Sequence, residues 1–177
     1  MRLLLKDNDI MSMRVKKFVV YTVLALGAVV FWCHTHSDRA KIARLFDSAT
    51  KIAERSPDES VMEGAVKAKA LAAFFGATCR FNVPEARLSG PVSNANLSGM
   101  ILAFRHDVPR FSVSFSDLDI TVDVLTAHVE GHVRIDGADG FLKTKIRDAR
   151  PFAAELEKND GGEWKIVAVT LLKYSNT

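Results

Sequence analysis

Apolar side chains recur along this chain in two rhythms, and the change of rhythm divides it. Between Asp38 and Arg55, the residues Ile42, Leu45, Phe46, Ala49, Ile52 and Ala53 keep the i, i+3, i+4, i+7 spacing of one helix face. "SPDE" over 56–59 closes that helix and opens another. Ser56 can cap, Pro57 suits the first helical position, and Glu59 completes a capping box. The second helix is expected to present Met62, Ala65, Val66, Ala72 and Phe75 and to stop at Gly76. "TCRFNV" reads as a short strand. Leu97, Met100, Ile101 and Phe104 predict a third helix, ended by Pro109.

From Arg110 the period becomes two. Phe111, Val113 and Phe115 alternate with serines, and Leu118, Ile120 and Val122 continue after a slip of parity near Asp117 that predicts a β-bulge. A turn at 123–126 leads into Ala127, Val129, Val133 and Ile135. A further strand covers Phe152, Ala154 and Leu156. "NDGG" marks a hairpin, and "EWKIVAVTLLKY" is the last strand. Two or three helices followed by an antiparallel meander predict an α+β domain, with a curved antiparallel sheet over the helices.

One stretch fits neither rhythm. Residues 18–33, "FVVYTVLALGAVVFWC", carry no charge and follow the basic cluster Arg14, Lys16 and Lys17. As a helix they span about 24 Å, and snorkelling lysines with Trp32 at the far interface extend that toward the thickness of a bilayer. A cleaved signal peptide is the competing reading. Val29, Val30, Phe31 and Trp32 are poor residues for a cleavage site, which favours an uncleaved anchor. The expected organisation is a basic cytoplasmic tail (1–17), one transmembrane helix (18–36) and a domain (37–177) outside the cytoplasm, facing the periplasm or extracytoplasmic space, with the tether in the cell membrane. Met11 and Met13 are alternative starts.

Charge sharpens this division. The net +3 of the 177-residue chain sits in residues 1–36, with five basic against two acidic side chains. The remainder balances at 19 and 19. A neutral domain lacks the positive surface that nucleic acid requires. Cys33 and Cys79 have no CxxC spacing, so neither a zinc knuckle nor a redox pair is expected. A Cys33–Cys79 bridge is conceivable, but Cys79 reads as a small buried hydrophobe.

The helix pair at 39–75, the strand "CRFNV", the helix before "HDVPRFSVSFSDLDITV" and the closing "NDGGEWKIVAVTL" together resemble the nuclear transport factor 2-like (cystatin-like) superfamily. That resemblance implies a cone with a pocket between sheet and helices, used for catalysis, ligand binding or protein contacts. Its catalytic members bury an Asp or His in the pocket, sometimes beside a Tyr. By that analogy the weak acid–base candidates are Asp117, which shares parity with Phe111, Val113 and Phe115, and His106. Tyr21 and Tyr174 are the two tyrosines, and neither is an evident partner. An anchor followed by such a cone also resembles the inner-membrane scaffold proteins of type IV secretion systems, whose Asn-Pro-x-Gly signature this chain lacks.

The pentapeptide "HVEGH" at 128–132 superficially resembles a rearranged zinc-protease motif. On a helix the two imidazoles would be adjacent. On a strand they stand about 13 Å apart, too far to share an ion. Alternation assigns Ala127, Val129, Gly131 and Val133 to the core side and His128, Glu130, His132 and Arg134 to the opposite face, an expected interaction face. No cofactor or metal is expected. The functional expectation is a membrane-anchored interaction domain with a protein partner or a second copy of itself. The alternative is a small pocket enzyme or ligand binder of isomerase or hydratase type, taking a small molecule on a buried carboxylate.

Overall fold

The computed structural model describes residues 37–84, 88–138 and 145–172. The expected basic tail and apolar anchor lie outside the described residues. Among those described, no helix is long and apolar enough to cross a membrane. The elements run α1 (Asp38–Ala53), α2 (Val61–Ala72), β1 (Phe75–Val83), β2 (Leu88–Ser93), α3 (Asn94–Asp107), β3 (Arg110–Asp123), β4 (Thr126–Ala138), β5 (Lys145–Lys158) and β6 (Trp164–Leu171).

One six-stranded sheet has the order β2-β1-β6-β5-β4-β3. Strands β3 to β6 form the expected meander, and β1 joins its edge by pairing parallel to β6. Helix α1 buries Ile42, Leu45 and Phe46 against the inner face, where they meet Ile120, Val129, Val133, Phe152, Leu156, Trp164 and Ile166. Phe46 packs edge-on to Phe115, with centroids 5.0 Å apart, and touches Phe152 at 5.8 Å. A second, smaller cluster of Ala53, Val108 and Phe111 closes the far end of α1. Three helices against one curved sheet is therefore the architecture.

The structure corrects two details of the helices. Helix α2 does not begin at Pro57. Its N-cap is Ser60, whose hydroxyl accepts from the Glu63 amide at 3.2 Å, and residues 56–59 form a turn before it. The buried face of α2 also differs from the one expected and shares only Ala72 with it. Gly64, Ala68 and Ala72 are buried, whereas Met62 is 80% exposed and Val66 is largely exposed. These small residues lie at i, i+4 and i+8 on one face, and a Cβ on Gly64 would come within 3.2 Å of Glu59 Oε1. Phe75 opens β1 instead of ending α2.

Two strand segments escaped the period-two reading. Strand β2, "LSGPVS", contains Gly90 at φ 115° and Pro91, residues tolerated because it is the edge of the sheet. Strand β5 begins at Lys145, not Phe152. Pro151 lies within it where β6 is ending, so only one terminal ladder bond is lost, and its carbonyl still accepts from Leu172 at 3.0 Å.

Candidate functional site

The predicted bulge in β3 is present and organises the face that carries the pentapeptide. Register with β4 shifts between Ser116 and Asp119, so Asp117 and Leu118 together oppose Gly131. Asp117 takes φ 54° there, a left-handed conformation that Asp tolerates better than most residues. A Cβ on Gly131 would lie 2.9 Å from both the Ser116 carbonyl oxygen and Leu118 Cδ2. The glycine of the pentapeptide is thus explained by packing: it makes room for the bulge.

The other members of the pentapeptide follow the alternation. Val129 is fully buried, while His128, Glu130, His132 and Arg134 are each at least half exposed on the opposite, outer face. His128 Nε2 lies 3.2 Å from Glu130 Oε1. His132 Nδ1 lies 3.5 Å from Asp117 Oδ2 across the β3–β4 ladder, and Arg134 Nε donates to Asp136 at 2.6 Å. Further across the sheet, Arg80 of β1 reaches over β6 to Glu155 of β5 at 3.0 Å. Pairing aligns Arg80 with Ala168, Ala168 with Glu155, Glu155 with His128 and His128 with Thr121. The outer face thus carries Arg80, Glu155 and His128 in one lateral row. Among the described residues no group of three or more His, Cys, Asp or Glu is placed to hold a metal ion.

Neither acid–base candidate points into the core. The Asp117 side chain is 77% exposed on the bulge, and His106 is exposed in the last turn of α3. Asp119 and Asp123 are exposed as well. Cys79 is a free, buried thiol, and burial pushes its pKa up to about 12, so it stays protonated and inert.

The buried ionic group is one that the sequence pattern did not point to. Arg105 of α3 is 1% exposed and donates to Glu59 through Nε (3.0 Å) and Nη2 (2.6 Å). Its Nη1 and Nη2 also donate to the carbonyls of Ala53 (2.8 Å) and Glu54 (3.2 Å), capping the end of α1. Lys67 of α2 adds a third cationic contact to Glu59 at 2.8 Å. Burial by itself would raise the Glu59 pKa, but hydrogen bonds and charge from Arg105 and Lys67 outweigh it and hold the carboxyl below its ordinary value. Three chain segments meet at this one carboxylate. All three guanidinium nitrogens of Arg105 donate to a backbone carbonyl or a carboxylate, while Arg55 Nε lies 3.9 Å from Glu59 with no hydrogen-bond partner among the described residues; the arrangement is a structural clamp. The visible trace of it in sequence is the "SPDES" turn facing a lone arginine on an apolar helix, and helical periodicity by itself does not bring those two together.

Comparison with known proteins agrees with this architecture. No protein-family model and no curated protein matches the chain. Solved structures do. An NTF2-like protein with a cystatin-like fold from Novosphingobium aromaticivorans superposes with a TM-score of 0.59 at 15% identity, covering 86% of this chain and 90% of that one. From the same organism, a candidate aromatic ring hydroxylase gives 0.61 at 15% identity (76% and 87% covered), and a candidate scytalone dehydratase gives 0.57 at 17% (76% and 82%). At such identities the likeness is one of fold. The chain has the nuclear transport factor 2-like, cystatin-like fold.

Proposed function

We propose that the protein is a single-pass membrane-tethered binding domain, displayed outside the cytoplasm, whose outer sheet face makes contact with a protein partner or a second copy of itself. The observation that carries this reading is the charged row on β4 and its neighbours. Imidazoles, carboxylates and guanidinia are interspersed there, with His128, Glu130, His132 and Arg134 each half or more exposed, and electrostatic complementarity of that kind fixes partner choice and register. The tether rests on the apolar run 18–33 and its basic flank.

The test uses the full chain in cells. Membranes are extracted with alkaline carbonate, and a photo-crosslinking residue is placed at Glu130 or, as a control, at Asp58. Retention in the pellet with a discrete adduct from position 130 alone is the expected result. Retention without such an adduct would remove the contact face and leave the tether standing, while release by carbonate would remove the tether.

A pocket reading keeps one observation in its favour. Trp164 is buried, and its indole Nε1–H has no hydrogen-bond partner among the described residues. A buried donor of this kind is costly unless something accepts from it, and a small ligand could. The hydroxylase and dehydratase candidates that share the fold make the idea worth a ligand-induced melting shift. The outward placement of Asp117 and His106 favours the contact reading over it.

A further inference from the structure

We propose that the outer sheet face docks on a second copy of itself, about a two-fold axis that crosses the strands at the level of His132; this rests on the contact reading above and names its occupant. The order of charge along the strands carries it. In β4 the outward positions run His128, Glu130, His132, Arg134 and Asp136. Counted outward from His132, Glu130 and Arg134 are mirror positions, and so are His128 and Asp136. In β5 the residue paired with His132 is Pro151. Counted from there, Ala153 mirrors Ala149, Glu155 mirrors the register position of Arg147, and Glu157 mirrors that of Lys145. In β3, Ser116 pairs with His132, and Asp119 beside Glu130 mirrors Ser114 beside Arg134. Asp123 beside Thr126 likewise mirrors Arg110 beside Ala138. Acid on one side of this level therefore answers base, imidazole or hydroxyl on the other. Asp117 is the exception: it lies at the axis level on the rim, 77% exposed and 3.5 Å from His132. Arg80 and Lys165, toward the β1 side, pair within the chain with Glu155 and Glu163.

A two-fold axis in the plane of the contact and across the strands lays each strand antiparallel over its own mate, so every position meets its mirror. The interface is then isologous, and each pair forms twice. An axis along the strands would instead lay acid on acid. Charge complementarity thus selects the second copy and its orientation together. The area agrees. Six strands about 4.8 Å apart, with mirror rows spread over about 20–25 Å, make a face of roughly 600 Å² per copy, close to the ~800 Å² per partner of stable interfaces. Between the charged ends, Pro151, Ala153 and Ala168 form a half-exposed floor of short side chains, on which another sheet can lie at about 10 Å. Packed sheets cross at about 30°, so the mirror pair nearest the axis, Glu130 with Arg134 of the second copy, is held most closely.

The experiment uses the full chain in mild detergent and reads its mass by sedimentation. The parent should be a dimer that weakens as salt rises. Glu130→Arg sets like charges against Arg134 twice in each dimer, and should weaken association about tenfold or more. Arg134→Glu should do the same against Glu130. The two changes combined in one chain bring opposite charges together again and should restore association to near that of the parent, a recovery that a foreign partner would not give. A disulfide checks the level of the axis. With Cys33→Ser, the full chain carrying His132→Cys should oxidise in membranes to a covalent dimer. Met62→Cys, on the exposed side of α2, should not, and Cys79 is buried. A parent that is monomeric at every salt concentration, a combined variant no better than either single one, or equal crosslinking from 62 and 132 would each overturn the proposal. A discrete adduct of foreign mass from position 130 would also overturn it, and would leave the contact face standing with another occupant. Absence of any adduct from 130 would overturn both.

Discussion

Two ionic groups in this domain use nearly the same residue types and do opposite things. At the helix junction, Glu59, Arg105 and Lys67 meet where the Glu59 and Arg105 side chains are 2% exposed. On the sheet, His128, Glu130, His132 and Arg134 stand in water. In the dry group all three guanidinium nitrogens of Arg105 donate to a carboxylate or a backbone carbonyl, so removing one member of the Glu59–Arg105 pair strands the other in a low-dielectric environment. In the wet group solvent replaces whatever is removed, and exposed pairs contribute little. Charge by itself says nothing about importance. Burial decides which cluster holds the fold and which is free to meet something else.

The largest effect separating the two should come from Arg105→Met. It uncaps the end of α1 and removes the principal cation from Glu59, and breaking a buried pair in this way costs about 3–5 kcal/mol. Urea or thermal unfolding of a 37–177 fragment reads it. A loss under 1 kcal/mol would mean that the clamp is no tighter than a surface pair.

Acid provides a second way to break the clamp. Because the folded-state pKa of Glu59 is lowered, its contribution is fully present above the ordinary carboxylate pKa, about 4.3, and disappears as pH falls through the lower folded value. Glu59→Gln should therefore lower stability at pH 7 and flatten the acid limb of the stability–pH curve. An acid limb parallel to that of the parent would show that other carboxylates dominate it.

Gly131→Ala lies between the extremes, on the wet strand but facing the core. The new methyl would press on the Ser116 carbonyl and Leu118 at the bulge, and overpacking of this kind costs about 1–3 kcal/mol. Retention of parental stability would show that the bulge relaxes freely.

The smallest effect is expected from His128→Ala/His132→Ala. With both imidazoles outside, the change in stability should stay within about 0.5 kcal/mol, and a chelator should shift neither the parent nor the variant melt. A chelator-sensitive parent would reinstate a metal site. Loss of the crosslink from position 130 with an unchanged melt would sharpen the comparison, by confining the role of the wet group to contact.

Much of the β half was legible in the chain. Period two identified β3 and β4, and the parity slip located the bulge at Asp117, because each strand residue faces core or solvent in strict alternation. The outward placement of His128, Glu130, His132 and Arg134 followed from the same alternation. The helices were less legible. The length and face of α1 were readable because its apolar residues are large. Helix α2 was misread in part because hydrophobicity is only a proxy for burial: Gly64 and Ala68 join the expected Ala72 on the buried face while Met62 and Val66 remain outside. The edge strand β2 and the first half of β5 were hidden by Gly90, Pro91 and Pro151, residues that weaken a strand signal everywhere except at an edge or an end.

What the chain determined by itself was local: which segments are helix or strand, which way strand residues face, and where charge and a long apolar run are concentrated. These depend on neighbours within a few positions, and such neighbours are visible in order along the sequence. Tertiary structure alone decided that Glu59 and Arg105, 46 positions apart, share one buried contact, and that Gly131 faces the bulge of another strand. Those juxtapositions depend on which elements pack together and at what distance, and no periodicity along a single chain encodes it.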